Sequence, residues 1–540
     1  MIATSLKRRD SIPSGVTASS RRAWPHAALV ATMVMTLLAL FARLMAFPVR
    51  HDEQMYVPVG ALLMQGDLYR DFGFNNLPNF PLLLGLIVHL TATDHYLLAG
   101  RFIIFAGWLL FLTAIMIFVR RAAGTWAAAI LATLLVATNP VLIGPAGMLA
   151  TNNFLPLAFA MAGTTLLIAG LDRPNPQPWA LAGAGLCIAV AAGFKANYVY
   201  MIPLFAITAL FVPLRKGLRR CITHSIGPLA IGGLIGSLSV LYYLLRDIDG
   251  FFVHVIQYHR GPHVAYWAAN PSLDGPKIMT LSGKIVLAIK VWLGGGFALV
   301  ICAVTLLVWS NFRQAKNSKR PHRPLWPIAL ITAIIVGGMA MSFVPTPAFP
   351  QYYILPIPFL IVLAALLYGS LPVRRRSALS PLMLMMAIGT IAWGLPRLAV
   401  KLPDLAKPDK WAGIVVHRAG QRLAQYSHTE GADGPVATLS PLYPLEGGLA
   451  VYPELAAGPL VYRVGDLIPS RDLRHYRIIS PHLVGSLMSA QPPVAILVGQ
   501  EGRLDEPFIR YARHHRYRLV DPALVNDRYG KGALYIRSHY

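Results

Sequence analysis

Two adjacent carboxylates, Asp52 and Glu53, stand in the run His51-Asp52-Glu53-Gln54-Met55-Tyr56, immediately after the first long apolar block of the chain. Ionisable groups at a membrane face cost desolvation energy, and few other acids lie nearby. Two readings fit: a solvated loop end, or a general base at the mouth of a cavity, where a carboxylate takes the proton of a hydroxyl. A second candidate group is His254, His259 and His263. With Asp52 or Glu53 these could ligate a metal. Gly261-Pro262 interrupts the helical spacing that His259 and His263 would need, so aromatic or hydrogen-bonding roles are the better reading and no cofactor is implied. Cys187, Cys221 and Cys302 lie in or beside apolar blocks without metal-ligand spacing, which argues against a structural zinc site and against a disulfide framework.

The elements that must position these residues are membrane helices. Only 13% of the 540 residues are charged, about half the ~25% of a soluble domain, and the mean hydropathy is +0.53. Apolar residues fall in blocks near the ~20 residues that cross a hydrocarbon core: roughly 27–47, 97–119, 125–143, 151–170, 179–194, 196–213, 224–245, 283–309, 325–344, 351–371 and 379–396. These read as about eleven uninterrupted spans. The net charge of +25 does not indicate nucleic acid, because Lys and Arg sit in short clusters between the blocks. Arg120-Arg121, Arg173, Arg215 to Arg220, Arg313 to Arg323 and Arg374-Arg375-Arg376 fall in alternate loops, while the stretches 144–150 and 345–350 carry no Lys or Arg. Under the positive-inside rule this places the N-terminus in the cytoplasm. Three longer pieces then lie on the opposite face: loops 48–96 and 246–282, and everything after about 398. The basic N-terminus, with Lys7, Arg8 and Arg9, precedes a block too long for a typical cleaved leader. The segment Leu77–Leu90 is short and carries Pro78 and Pro81, and it reads as an interfacial helix. The expected organisation is a tail over 1–25, a membrane domain over 26–397, and a soluble α/β domain over 398–540, whose short apolar runs Val436–Leu439 and Val494–Val498 read as strands.

The acidic pair is followed by Gly66-Asp67-Leu68-Tyr69-Arg70-Asp71-Phe72 and then by the Pro-led helix. This combination resembles the first outer loop of the GT-C glycosyltransferases, and more narrowly the branch of protein O-mannosyltransferases and lipid A aminoarabinose transferases. Gly193-Phe194-Lys195, the stretch Phe251-Phe252 to Arg260-Gly261, and Gln351-Tyr352-Tyr353-Ile354-Leu355-Pro356 agree with it. The resemblance implies a polyprenyl-phosphate monosaccharide as donor and a lipid, lipopolysaccharide, polysaccharide or protein hydroxyl as acceptor. It implies Asp52 as the base of an inverting transfer on the periplasmic face of a bacterial inner membrane. It carries Glu53, Arg70, Asp71, Lys195, His259, Arg260 and Tyr352 as substrate-binding candidates. Arg260, Arg70 and Lys195 are the cations for the leaving phosphate, Arg offering it a planar fork. Each has a plainer role: Arg260 and Lys195 as interfacial side chains reaching the headgroups, and Arg70 as partner of Asp67 or Asp71. Relatives often carry a second acid where this chain has Asn152 and Asn153, so that position is expected to bind rather than to act as a base.

The competing class is a transporter or flippase for a lipid-linked glycan, which would favour broken helices and ionisable groups at mid-membrane. The C-terminal region shows no Ser/His/Asp constellation and no Gly-rich phosphate loop, and it is expected to position the acceptor.

Overall fold

The computed structural model describes residues 20–173, 175–214, 217–270, 278–317, 324–429, 434–469 and 472–537. Lys7, Arg8, Arg9, Arg215 and the basic positions 318–323 lie outside the described residues. Each of the eleven apolar blocks falls on helix. Among the described residues, six helices are long and apolar enough to cross a membrane, and six further apolar helices are shorter, 10–17 residues. Not every block is the uninterrupted span expected of it: block 125–143 is helical only over the 12 residues Trp126–Ala137, and block 283–309 is broken. Residues 283–309 form two helices, Leu281–Leu293 and Ala298–Asn317, because Gly294-Gly295-Gly296 intervenes, with Gly295 and Gly296 at φ of 60° and 78°, a region open mainly to glycine.

The first helix, α1 (Ser20–Met45), leads into α2 (His51–Leu62), α3 (Asn79–Thr91) and α4 (Tyr96–Ala123). Asp52 and Glu53 occupy the first turn of α2, where the helix dipole favours anions. Glu53 also accepts a hydrogen bond from the Arg50 backbone N–H at 3.3 Å. Pro58 stands inside α2 and leaves the Gln54 carbonyl without its helical donor. The chain at Gly458 packs on that carbonyl: a Cβ there would lie 3.1 Å from it, and Gly458 has φ of 60°. The 13 residues of α3 span about 20 Å at the helical rise, too short to cross. Asn79 anchors α3 by donating to Val190 O at 3.0 Å and accepting from Ser239 Oγ at 2.6 Å.

Polar contacts tie the loops to one another. Arg121 pairs with Asp172 at 3.7 Å, Arg220 reaches Asn175 at 3.5 Å, and Arg375 donates to Ser310 O at 3.1 Å. Elsewhere, Glu53 accepts from the Ala150 N–H at 2.8 Å and Lys195 donates to Asn153 at 2.6 Å. The loops at Arg121 and Arg220 therefore meet around 172–175, and the acidic pair lies with the turns at Ala150 and Lys195.

Beyond residue 411 a helix, Ala412–Thr429, precedes a four-stranded sheet of order β1-β2-β4-β3. Its strands are β1 (Val436–Thr438), β2 (Ala495–Val498), β3 (Arg518–Asp527) and β4 (Gly530–Ile536). β1 and β2 are parallel and the other pairings antiparallel. β1 and β2 are the two runs read as strands from the sequence, and both are wholly buried. This unit sits directly on α2. Leu442 N–H donates to Gln54 Oε1 at 3.0 Å, and His51 pairs with Glu501 at 3.0 Å while stacking on Tyr529 at 3.5 Å.

Candidate active site

Asp52 projects from the first turn of α2 and is partly exposed. It makes no hydrogen bond with the described residues. The cations whose fields act on it are Lys195 and Arg463, and Glu53 is the anion behind it. Removal of water around the carboxyl holds its pKa above the ordinary carboxylate value, against the pull of both cations. A carboxylate left unpaired, with a raised proton affinity and facing two cations, has what a general base needs beside an anionic leaving group.

Lys195 terminates the Pro178–Phe194 helix in extended backbone, φ −153°. Its ammonium donates to Asn153 Oδ1 at 2.6 Å and lies 4.6 Å from the centre of the Tyr352 ring. Desolvation brings it down to about 7, with Asp52 opposing. Asn153 in turn donates to Thr151 Oγ1 at 3.1 Å, and Asn152 donates to Phe194 O at 3.1 Å. The two amides that replace the expected acid therefore hold Lys195 and its turn in place. A narrow cleft here is lined by Asn153, Lys195, Tyr198, Gln351, Tyr352 and Leu355 among others. His259 sits nearby, its Nε2 2.7 Å from Asn75 O. Burial is the main cause of its lowered pKa, and the Lys195 charge lowers it further.

Arg463 was not among the site residues expected from the sequence. It lies just past the Pro459–Tyr462 helix, which packs on α2. Its guanidinium stacks 4.3 Å from the Trp267 ring centre and 5.3 Å from Tyr266. Its Nε is buried without a hydrogen-bond partner among the described residues. The aromatic and Arg-rich stretch Tyr452 to Arg463 suits an anionic or sugar-bearing partner, but nothing local places it beside Asp52, because more than four hundred positions separate them and only the docking of the C-terminal unit on α2 brings them together.

Four sequence-derived candidates, Asp52, Lys195, His259 and Tyr352, thus share one region. The others do not. Glu53 is fully buried behind Asp52, where its oxygens accept from Arg101 Nε at 2.7 Å and Nη2 at 2.8 Å and from the Ala150 N–H. Arg101 donates onward to Leu44 O and Phe47 O. No oxygen of Glu53 remains for a substrate, so its role is to fix α2. A lone Arg inside the apolar block 97–119 was the signal for this pair, since such a cation must be compensated. Arg70 is exposed and bridges Asp67 at 3.1 Å and Asp71 at 2.7 Å. Asp71 accepts the Asp67 N–H at 2.8 Å, and the Arg70 guanidinium holds its pKa at about 2. These two residues shape a turn that buries Leu68, Tyr69 and Phe72, with Tyr69 at φ of 66° and packed on Tyr243 and Phe251. Arg260 is exposed and makes no ion pair or hydrogen bond with the described residues. Of the three histidines, His254 stands apart against Tyr69, while the His259 and His263 rings meet edge to face at 5.7 Å, His259 bonding Asn75 and His263 lying against Tyr258 and Trp267.

Over 95% of its length the chain matches ArnT from Cupriavidus metallidurans in the apo state, with a TM-score of 0.61 and 12% identity, covering 98% of that chain. The chain has the GT-C fold. ArnT bound to undecaprenyl phosphate matches with a TM-score of 0.58 at 14% identity, over 95% of this chain and 98% of that one. The arabinofuranosyltransferase AftD from Mycobacteria matches over 95% of this chain and 40% of its own, at a TM-score of 0.51 and 12% identity. No family model and no curated protein sequence matches. The likeness is therefore one of fold, and it agrees with the fold that the first-loop motif suggested.

Proposed function

We propose that this GT-C-fold chain is an integral-membrane glycosyltransferase that takes a sugar from a polyprenyl-phosphate carrier and passes it to a hydroxyl of an envelope lipid, glycan or protein. The observation that carries this reading is the unpaired Asp52 carboxylate facing Lys195 and Arg463. That undecaprenyl phosphate is bound by ArnT, a protein of the same fold, supports a donor of this class. In the reaction the acceptor oxygen forms a bond to the anomeric carbon as the bond from that carbon to the phosphate oxygen breaks on the opposite face, with inversion. The acceptor proton passes to Asp52. The charge released onto the lipid phosphate is met by the Lys195 ammonium and the Arg463 guanidinium, fixed cations that need little reorganisation. Tyr352 and His259 flank the path.

The alternation of basic loops supports a bacterial inner membrane location with the N-terminus in the cytoplasm and the site on the periplasmic face. Purified protein in lipid nanodiscs, given a polyprenyl-phosphate pentose or hexose and envelope extract, is expected to release polyprenyl phosphate as glycosylated acceptor accumulates. A flippase would move the donor across a liposome bilayer without consuming it, and that outcome would overturn the reading.

A further inference from the structure

A second cluster of side chains lies where the C-terminal unit meets the start of α4, and the transfer chemistry does not use it. Asp94, His95 and His417 bring one ligand atom each to within 4.8 Å of one another. The two imidazoles face each other with ring centres 3.7 Å apart. His417 stands on the Ala412–Thr429 helix, and Gly413 lets that helix close on α4, since a Cβ there would lie 2.8 Å from Leu98 Cβ.

Three features suit a metal. His417 Nδ1 lies 3.0 Å from Glu446 Oε2, and Glu446 is fully buried, its other oxygen taken by the Leu97 N–H at 2.8 Å. A buried carboxylate on the far nitrogen is the usual support of a metal-bound histidine: it fixes the ring with its other nitrogen, Nε2, toward Asp94, whose backbone His417 also meets, a contact the ion would replace. That Nε2 lies 3.5 Å from the Gln421 amide, a long contact that an ion can displace. His95 Nδ1 is buried without a hydrogen-bond partner among the described residues, a state with an energetic cost that a partner relieves. Finally, two imidazoles and one carboxylate form a donor set for zinc or a similar divalent transition ion, not for calcium or magnesium. Ligands at zinc distances stand about 3.3 Å apart in a tetrahedron, so side chains whose ligand atoms lie within 4.8 Å of one another must close by up to about 1.5 Å. The exposed Asp94 carboxylate is free to rotate inward.

We propose that Asp94, His95 and His417 form a zinc-class metal site that clamps the C-terminal unit to the start of α4. The ligands come from the loop before α4 on one side and from the C-terminal unit on the other, so the ion holds together the two parts that also meet at Asp52 and Arg463. The site stands independently of the transfer reading.

The test uses the full chain in nanodiscs, without a histidine tag, stripped by chelator and titrated with Zn²⁺ against a chromophoric competitor. One zinc per chain is expected, with X-ray absorption showing two imidazole nitrogens and light-atom oxygens. Loss of His95 or Asp94 should weaken binding by about tenfold or more, the scale on which even supporting residues act. His95→Ala and Asp94→Asn change partly exposed residues and leave the His417–Glu446 pair intact. Zinc should raise the unfolding temperature of wild type and fail to do so in His95→Ala. Absence of stoichiometric binding, or binding unchanged in both variants, overturns the proposal; the second result would send the metal to the histidines of the 246–282 loop.

Discussion

Substituting Glu53 by Gln separates a substrate ligand from a residue that builds the site. In the structure this carboxylate and Arg101 are both fully buried, with two contacts of 2.7 and 2.8 Å between them. Glu53→Gln preserves shape but removes the negative charge and one of the two acceptor oxygens, leaving the Arg101 charge uncompensated in the interior with one amide oxygen and the Leu44 and Phe47 carbonyls as acceptors. Breaking one side of a buried pair costs about 3–5 kcal/mol, a large part of the ~5–15 kcal/mol that holds a typical domain folded. The assay is thermal unfolding in nanodiscs alongside the donor KM, measured at a temperature where the variant is folded. The expected result is a strongly lowered unfolding temperature with a near-normal donor KM. The double variant Glu53→Gln/Arg101→Met should recover part of the loss, because it removes the uncompensated buried charge of Arg101. Wild-type stability combined with a raised donor KM in Glu53→Gln would refute this reasoning and return Glu53 to the substrate.

Arg463→Ala should raise the donor KM about 10- to 100-fold, the worth of one charge-assisted hydrogen bond, with Arg463→Lys recovering part of it; Arg260→Ala should stay within about twofold, and the reverse order would move the phosphate site to Arg260. The pH profile of kcat/KM should rise as Asp52 loses its proton, above the ordinary carboxylate value of about 4, and fall as Lys195 loses its proton near 7. In Lys195→Arg the alkaline limb should move to higher pH, and an unmoved limb would assign it to another group. In a cysteine-free background, His482→Cys on the exposed C-terminal surface should react with an impermeant maleimide in intact spheroplasts; reaction only after lysis would reverse the proposed orientation.

Apolar block length was enough to place helices along the chain, because the signal is repeated along hundreds of residues, although only six of the described helices are long and apolar enough to cross a membrane. The Gly294–Gly296 break was visible as three glycines, but their effect depends on the neighbours that receive the turn. Asp52 was legible because its motif is local. Lys195 was legible because a lone cation at a turn between two apolar helices needs an anion or an amide, and the structure supplies Asn153. The misplaced residues share a different cause. Glu53 satisfies a residue 48 positions away, at Arg101, and Arg463 enters from another folding unit. Pairings of that kind are set by tertiary docking, and side-chain type alone cannot distinguish Arg260, which ends on the surface, from Arg463, which ends on Trp267.

The central claim is that Asp52 accepts the acceptor's proton. Single-turnover transfer from a radiolabelled polyprenyl-phosphate sugar should fall by at least about 100-fold in Asp52→Asn, the low end of general-base contributions. Binding of a non-transferable lipid phosphate analogue should remain within a few-fold of wild type, because the proposed reaction assigns the phosphate to Lys195 and Arg463 and not to Asp52. An Asp52→Asn protein that is folded, binds the analogue and still transfers sugar at the wild-type rate would contradict the account.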